Sequence, residues 1–165
     1  MDLEFRELLI TDGDGIREMS AVATAILRDY YDPIIGKEQN DYMLAKFQTP
    51  DAIRGQLAEG YRFFFAGAGD RTAGFLAFYP RGGSLYLSKL YLYREERGRG
   101  YGREMVDFAL AQAREAGLDG VELNVNRFNP TVEVYERMGF RRIRSEKIDI
   151  GGGFYMDDYV YRLDA

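Results

Sequence analysis

The sequence predicts a mixed α/β fold, a single domain over residues 1–165 with a central sheet of about seven strands and four to five helices. Three observations lead there. Residues 15–31 carry apolar side chains at a helical period. From Arg62 onward the pattern changes to short aromatic runs split by Gly-containing turns. Beyond residue 100, helical and strand-like stretches alternate. With 46% hydrophobic and 15% aromatic residues, the chain can bury a full core and is globular, not disordered.

The elements follow in order. Residues 3–10 read as a first strand, and Thr11-Asp12-Gly13-Asp14 as a turn and helix start. Ile16, Met19, Val22, Ala23, Ile26 and Leu27 form the apolar stripe of a helix over 15–31, which Asp32-Pro33 should break, leaving Ile34-Ile35-Gly36 as loop. A second helix is expected over 38–47. A third starts at Thr49-Pro50-Asp51 and reaches about Glu59, with Thr49 as cap and Pro50 in the first turn. Residues 62–68 and 73–79 form a hairpin around Gly69-Asp70. Arg81-Gly82-Gly83 turns into a strand over 85–93. A helix over 103–115 ends at Gly117, a strand covers 121–126, and a short helix over 130–138 stops at Gly139. Strands over 140–150 and 154–163 flank Gly151-Gly152-Gly153. No repeat, low-complexity stretch or linker interrupts this order.

Composition narrows the chemistry. The sequence has no His and no Cys, which excludes Ser-His-Asp and Cys-His nucleophiles, acyl-cysteine intermediates, disulfides and the usual zinc sites. No metal is expected. The start Met1-Asp2-Leu3-Glu4-Phe5-Arg6 alternates charge, unlike a signal peptide, and no apolar run approaches the ~18 residues of a membrane span. The cytoplasm is the expected compartment, with no membrane partner. A net charge of -5 without a basic tract argues against nucleic acid and favours basic small molecules or peptides as partners.

The most informative stretch is Arg97-Gly98-Arg99-Gly100-Tyr101-Gly102, between a strand and a helix. A glycine-rich turn entering a helix offers backbone N–H groups that the helix cannot satisfy, at the positive end of its dipole, which suits a phosphate or pyrophosphate. A Walker A loop needs Gly-Lys-Ser/Thr, but Gly102 is followed by Arg103 and Glu104. The dinucleotide fingerprint needs G-x-G-x-x-G, and the spacing Gly98, Gly100, Gly102 does not fit. Arg-x-x-Gly-x-Gly, read as Arg97, Gly100 and Gly102, does fit. It resembles the signature of the GNAT superfamily of acyl-CoA N-acyltransferases. Leu90-Tyr91-Leu92 upstream, and Asn129 with Tyr135-Glu136-Arg137-Met138-Gly139-Phe140 downstream, resemble that family's flanking segments in the same order. More loosely, 41–48 and 155–160 are similar to its bacterial branch that includes polyamine acetyltransferases.

The resemblance implies a mostly antiparallel sheet with one parallel pair around the cofactor, and acetyl-CoA as co-substrate in the notch between the strands at 85–93 and 121–126. The backbone of Arg97, Gly98, Arg99, Gly100, Tyr101 and Gly102 would hold the pyrophosphate. That of Leu90, Tyr91 and Leu92 would pair with the pantetheine, the Leu92 N–H meeting the thioester oxygen. Tyr135 would be the general acid, and Asn129, or Asn126, would bond the pantetheine arm. As ordinary structure, Tyr135 would pack beside Gly139-Phe140 and Asn129 would cap the short helix.

The base is open. Where some relatives carry a Glu on the central strand, Ser88 and Lys89 stand here, and Lys89 reaches a carboxylate or snorkels to the sheet edge. Asp32, Glu38, Asp41, Asp157 and Asp158 are acidic candidates, each read first as solvated surface. Residues 30–38 and 153–159 would form the acceptor channel, aromatic and acidic, suited to a cation. The expected function is transfer of an acetyl group to a primary amine of a small cationic molecule or peptide. The alternatives are a non-catalytic acetyl-CoA-binding sensor on the same fold and a binder of another phosphate ligand. The sequence is also compatible with a homodimer.

Overall fold

The computed structural model describes residues 2–165. Among these residues, seven strands join in one sheet of order β1-β2-β3-β4-β5-β7-β6. In chain order the elements are β1 (Glu4–Leu8), α1 (Gly13–Ile35), α2 (Lys37–Phe47), α3 (Pro50–Ala58), β2 (Arg62–Ala68), β3 (Arg71–Arg81), β4 (Ser84–Leu92), a 3-10 turn (Arg94–Glu96), α4 (Tyr101–Glu115), β5 (Gly120–Asn126), α5 (Thr131–Arg137), β6 (Arg141–Gly151) and β7 (Phe154–Asp164). The pairs β1/β2, β2/β3, β5/β7 and β6/β7 are antiparallel, and β4/β5 is parallel. The expected mixed α/β class, with a mostly antiparallel sheet and one parallel pair, is what forms.

The chain divides into two compact units. The first takes the residues up to Tyr79 together with Lys89–Val106, and the second takes Pro80–Ser88 with Asp107–Ala165, so the division falls inside both β4 and α4.

In the first unit, α1, α2 and α3 bury Ile16, Met19, Ala23, Ile26, Leu44 and Ile53 against Phe63, Phe65 and Phe75 of β2 and β3. Alternation along β2 turns Phe64 the other way, where its ring lies 5.4 Å from that of Phe78. Asp12 caps α1 by accepting from the Gly15 N–H at 2.9 Å, and Thr49 Oγ1 caps α3 by accepting from Ala52 N–H at 3.1 Å. The expected break at Asp32-Pro33 is overturned: α1 runs through Pro33 to Ile35. Proline's fixed φ is compatible with a helix, and in the last turn it costs the preceding turn one N–H bond without stopping the backbone from continuing to Ile35. The helix stops instead at Gly36, whose φ of +87° leaves the helical region while its N–H still donates to Asp32 O at 3.0 Å.

In the second unit, β7 lies between β5 and β6, and Val121, Leu123, Val125, Val160 and Tyr161 are buried. The parallel ladder between β4 and β5 is short: Leu85 faces Val121 and Tyr86 faces Glu122. Gly120 has no room for a side chain, since a Cβ there would meet Leu163 O at 2.6 Å.

Candidate active site

The glycine loop and the end of β4 both belong to the first unit. The loop follows the 3-10 turn Arg94–Glu96, and Gly98 and Gly100 take φ of +79° and +83°, a region that L side chains rarely adopt. The Arg97 N–H is already used, donating to Arg94 O at 3.2 Å, so the N–H groups left for an anion begin at Gly98. Tyr101 opens α4 and is buried, while Gly102 is half-buried. The Arg97 side chain turns back from the loop: its guanidinium lies 4.3 Å from the Tyr30 ring centre, with Nη2 donating to Leu92 O at 3.4 Å.

Below the loop lies Glu96, only 3% exposed. Arg71 Nε donates to both of its carboxylate oxygens, at 2.8 and 3.0 Å, and this bond holds the carboxyl below the usual range. Arg99 Nε stands 4.0 Å from the same carboxylate. Val22, Arg71, Thr72, Tyr93, Glu95, Glu96 and Arg99 line a cavity of about 470 Å³ beside the loop.

Leu90, Tyr91 and Leu92 are half-buried at the end of β4. Their backbone runs close to Gly74 of β3, where a Cβ would lie 2.1 Å from Tyr91 O, and Tyr93 N–H donates to Ala73 O at 3.0 Å. Tyr91 packs with Tyr30 and Tyr31 at ring separations of 6.1 and 6.0 Å, and its hydroxyl is 3.2 Å from that of Tyr31. The aromatic residues at the end of α1 therefore meet the β4 strand end.

Lys89 fulfils neither expectation. Its side chain is 5% exposed, and Nζ donates to three neutral oxygens: Phe47 O at 3.2 Å, Gln48 Oε1 at 2.9 Å and Gln56 Oε1 at 2.8 Å. It also lies 4.7 Å from the Phe63 ring centre. Burial draws its pKa down to about 7. The three acceptors lie at the end of α2, between α2 and α3, and on α3, more than 30 residues away in sequence. No signal in the β4 segment could have named them.

Asn129 and Tyr135 belong to the second unit. Asn129 is buried and its Oδ1 accepts from Thr131 N–H at 2.9 Å, an Asx turn one residue ahead of the expected cap position, which Pro130 takes with no side-chain cap bond. Asn126 makes the equivalent bond to Phe128 N–H at 3.0 Å. Tyr135 is half-buried on α5, its ring edge-on to Phe140 at 5.5 Å.

Of the five acids read first as solvated surface, Asp158 is not. It is 3% exposed on β7, and its Oδ2 accepts from Asn124 Nδ2 at 3.1 Å. Burial raises its pKa to about 6. Asp157 pairs with Arg127 at 2.9 Å, Asp41 pairs with Arg28 and Lys37, Asp32 accepts from Asn40, and Glu38 is exposed. A signal for Asp158 was present: consecutive residues of a strand point to opposite faces, so two adjacent acids on β7 cannot share one solvated side. Among the described residues no cluster of acidic side chains is arranged to hold a metal, and no helix is long and apolar enough to cross a membrane.

A family model described as an acetyltransferase (GNAT) domain matches residues 31–155. None of the curated proteins matches the chain. Among solved structures, the PaiA N-acetyltransferase of Thermoplasma acidophilum, in complex with coenzyme A, is similar over all of both chains, with TM-score 0.77 at 19% identity. A Bacillus subtilis acetyltransferase in complex with CoA is similar over 99% of both chains, with TM-score 0.64 at 19% identity. The ribosomal-protein-S18-alanine N-acetyltransferase of Escherichia coli covers 98% of this chain and 93% of its own, with TM-score 0.67 at 15% identity. At these identities the likeness concerns fold, and it runs nearly end to end. With a family match over well more than half its length on that fold, the chain belongs to the GNAT acetyltransferase family.

Proposed function

We propose that the protein is an acetyl-CoA-dependent N-acetyltransferase, one domain working in the cytoplasm, which moves the acetyl group directly to a primary amine of a small cationic molecule or peptide. The observation that carries this reading is the loop before α4, where positive φ at Gly98 and Gly100 presents N–H groups at a helix start. The backbone of Gly98, Arg99, Gly100, Tyr101 and Gly102 holds the pyrophosphate, with Arg97 fixing the loop against Tyr30. The backbone of Leu90, Tyr91 and Leu92 receives the pantetheine, and the Leu92 N–H donates to the oxyanion as it develops. Asn129 bonds the pantetheine arm. The amine nitrogen attacks the thioester carbon, the C–S bond breaks with its electron pair on sulfur, and the Tyr135 hydroxyl protonates the thiolate. The absence of Cys and His supports direct transfer over an acyl-enzyme.

Calorimetric titration with acetyl-CoA, with ATP and NAD as controls, tests the reading. Saturable binding of acetyl-CoA alone is expected, and Gly100→Val should abolish it because valine does not tolerate φ near +83°. Binding of ATP or NAD in preference, or unchanged affinity in the variant, would overturn the pyrophosphate assignment. A second reading, a sensor that binds acetyl-CoA without turnover, draws on Lys89, which stands where some relatives carry a Glu and whose Nζ is turned to three oxygens of the fold. Thiol release with a panel of primary amines separates the two.

A further inference from the structure

The second unit carries a buried carboxylate that the proposed reaction does not yet use. Asp158 lies on β7 opposite Asn126 of β5, four residues beyond Glu122, where the β4/β5 ladder ends. Its orientation is fixed through a short relay. The Tyr86 hydroxyl donates to Asn124 Oδ1 at 2.9 Å, so the Asn124 amide must point its NH₂ away, toward Asp158 Oδ2 at 3.1 Å and Glu146 Oε2 at 3.4 Å. The second oxygen, Oδ1, has no partner among the described residues. Every fully buried side-chain nitrogen and oxygen there does have one, so Oδ1 must open onto accessible space although the residue is 97% enclosed.

The charges around it leave that oxygen without a cation. Glu146 faces it from β6, but Glu146 is paired with Arg144 at 2.8 Å. Arg127, from the segment after β5, is paired with Asp157 at 2.9 Å. Asp157 is its neighbour on β7, and Tyr86 of β4 reaches it only through Asn124. A buried carboxylate with no cation of its own is costly, and an arriving ammonium would relieve that cost.

We propose that Asp158 is the proton acceptor for the amine substrate of the transfer described above: Oδ1 receives the substrate ammonium and takes one of its protons. This rests on the acetyltransferase reading. R–NH₃⁺ gives one proton to Asp158 and becomes R–NH₂, whose lone pair forms the N–C bond as C–S breaks. The thiolate takes the Tyr135 proton, and the new amide nitrogen returns its extra proton to the Tyr135 phenolate. Asp158 then releases its proton to solvent, so each turnover yields one amide, one CoA thiol and one proton. With the pKa near 6, the carboxylate is mostly ionised at neutral pH and near the range where a general base works well.

The test is thiol release from acetyl-CoA with a panel of primary amines between pH 5 and 9, beside acetyl-CoA titration of each variant. For the intact protein, kcat/KM should fall as pH drops through about 6, where Asp158 takes up its proton. Asp158→Asn should lower kcat/KM by roughly a hundredfold or more, the usual range for loss of a general base, and erase that limb while acetyl-CoA affinity is retained. Tyr86→Phe, which frees Asn124, should weaken the bond to the charged carboxylate and move the limb to higher pH; this variant decides the matter if Asp158→Asn does not fold. Retained turnover with an unmoved limb would overturn the role of Asp158 and leave the acetyltransferase standing. Acetyl-CoA binding with no thiol release for any amine would instead remove the acetyltransferase reading, and this inference with it.

Discussion

Replacing Lys89 by Met should flatten the dependence of folding stability on pH. In the folded protein the ammonium is enclosed, its three N–H bonds go to the neutral oxygens of Phe47, Gln48 and Gln56, and its pKa falls from 10.5 to about 7. In the unfolded chain it returns to the ordinary value. The sign follows. Below pH 7 both states hold the proton, and the fold carries the full cost of the buried charge. Between 7 and 10.5 the unfolded state binds more protons than the folded one, so stability rises with pH. With these two pKa values, the contribution of Lys89 between pH 6.5 and 9 grows by roughly 2–3 kcal/mol, at about 1.4 kcal/mol per pH unit in the steep part.

Met has similar length and no titration, so Lys89→Met removes that slope. Its absolute effect is a contest. It deletes a buried charge but takes a donor from two carboxamide oxygens and from Phe47 O, which keeps its bond from Gln56 Nε2 at 3.0 Å. The pH difference avoids that contest. Urea unfolding at pH 6.5 and pH 9, for the parent and the variant, gives a double difference in which other titrating groups cancel. A double difference of roughly 2–3 kcal/mol is expected. Parallel pH profiles would refute the reasoning, because they would mean that Lys89 titrates alike in both states.

Two further predictions concern the strand end and the acid. Gly74→Ala would place a Cβ 2.1 Å from Tyr91 O and 3.0 Å from Leu92 Cα, so β3 and β4 must part. Urea midpoints should drop by the equivalent of about 1–3 kcal/mol, the usual range for overpacking, and an unchanged midpoint would show that the approach is not tight. Tyr135→Phe keeps the ring contact with Phe140 but removes the hydroxyl. Turnover should fall at least tenfold with acetyl-CoA affinity nearly unchanged, and equal losses in both would argue that Tyr135 serves binding instead.

The glycine loop was legible because its requirement is local. Only glycine takes φ near +80° without strain, so Gly98 and Gly100 announce the turn wherever the rest of the chain goes. The stripe of α1, the Thr49 cap and the Gly69-Asp70 hairpin were legible for the same reason: each is decided by residues a few positions apart. Pro33 misled because a proline's own φ is helical and it costs one N–H bond to the preceding turn, while the end of the helix was set by Gly36. Lys89 could be seen as out of place on an apolar strand but not explained, since the oxygens that receive it arrive from the other side of a folded core. Asp158 was half visible. Strand alternation requires one of two adjacent acids to turn inward, but not which one, because that choice is made by the register that sets Asp158 against Asn126.

Among the described residues the acidic and basic side chains of Lys89, Glu96 and Asp158 are enclosed at 3–5% exposure, and their partners separate their roles. Glu96 meets Arg71 on both oxygens, so its charge is cancelled where it stands and it holds the loop in shape. Lys89 has each of its three N–H bonds matched by a carbonyl oxygen, which leaves no donor for a ligand and no lone pair for a proton while it stays charged. Asp158 differs from both: one oxygen is held by an amide, the other is open, and the nearby guanidinium is paired with Asp157. A group whose hydrogen-bonding capacity is filled by the fold serves the fold. A carboxylate that is oriented, uncancelled and incompletely bonded keeps capacity for something that comes and goes, and in a family that acylates amines the fitting visitor is a substrate ammonium.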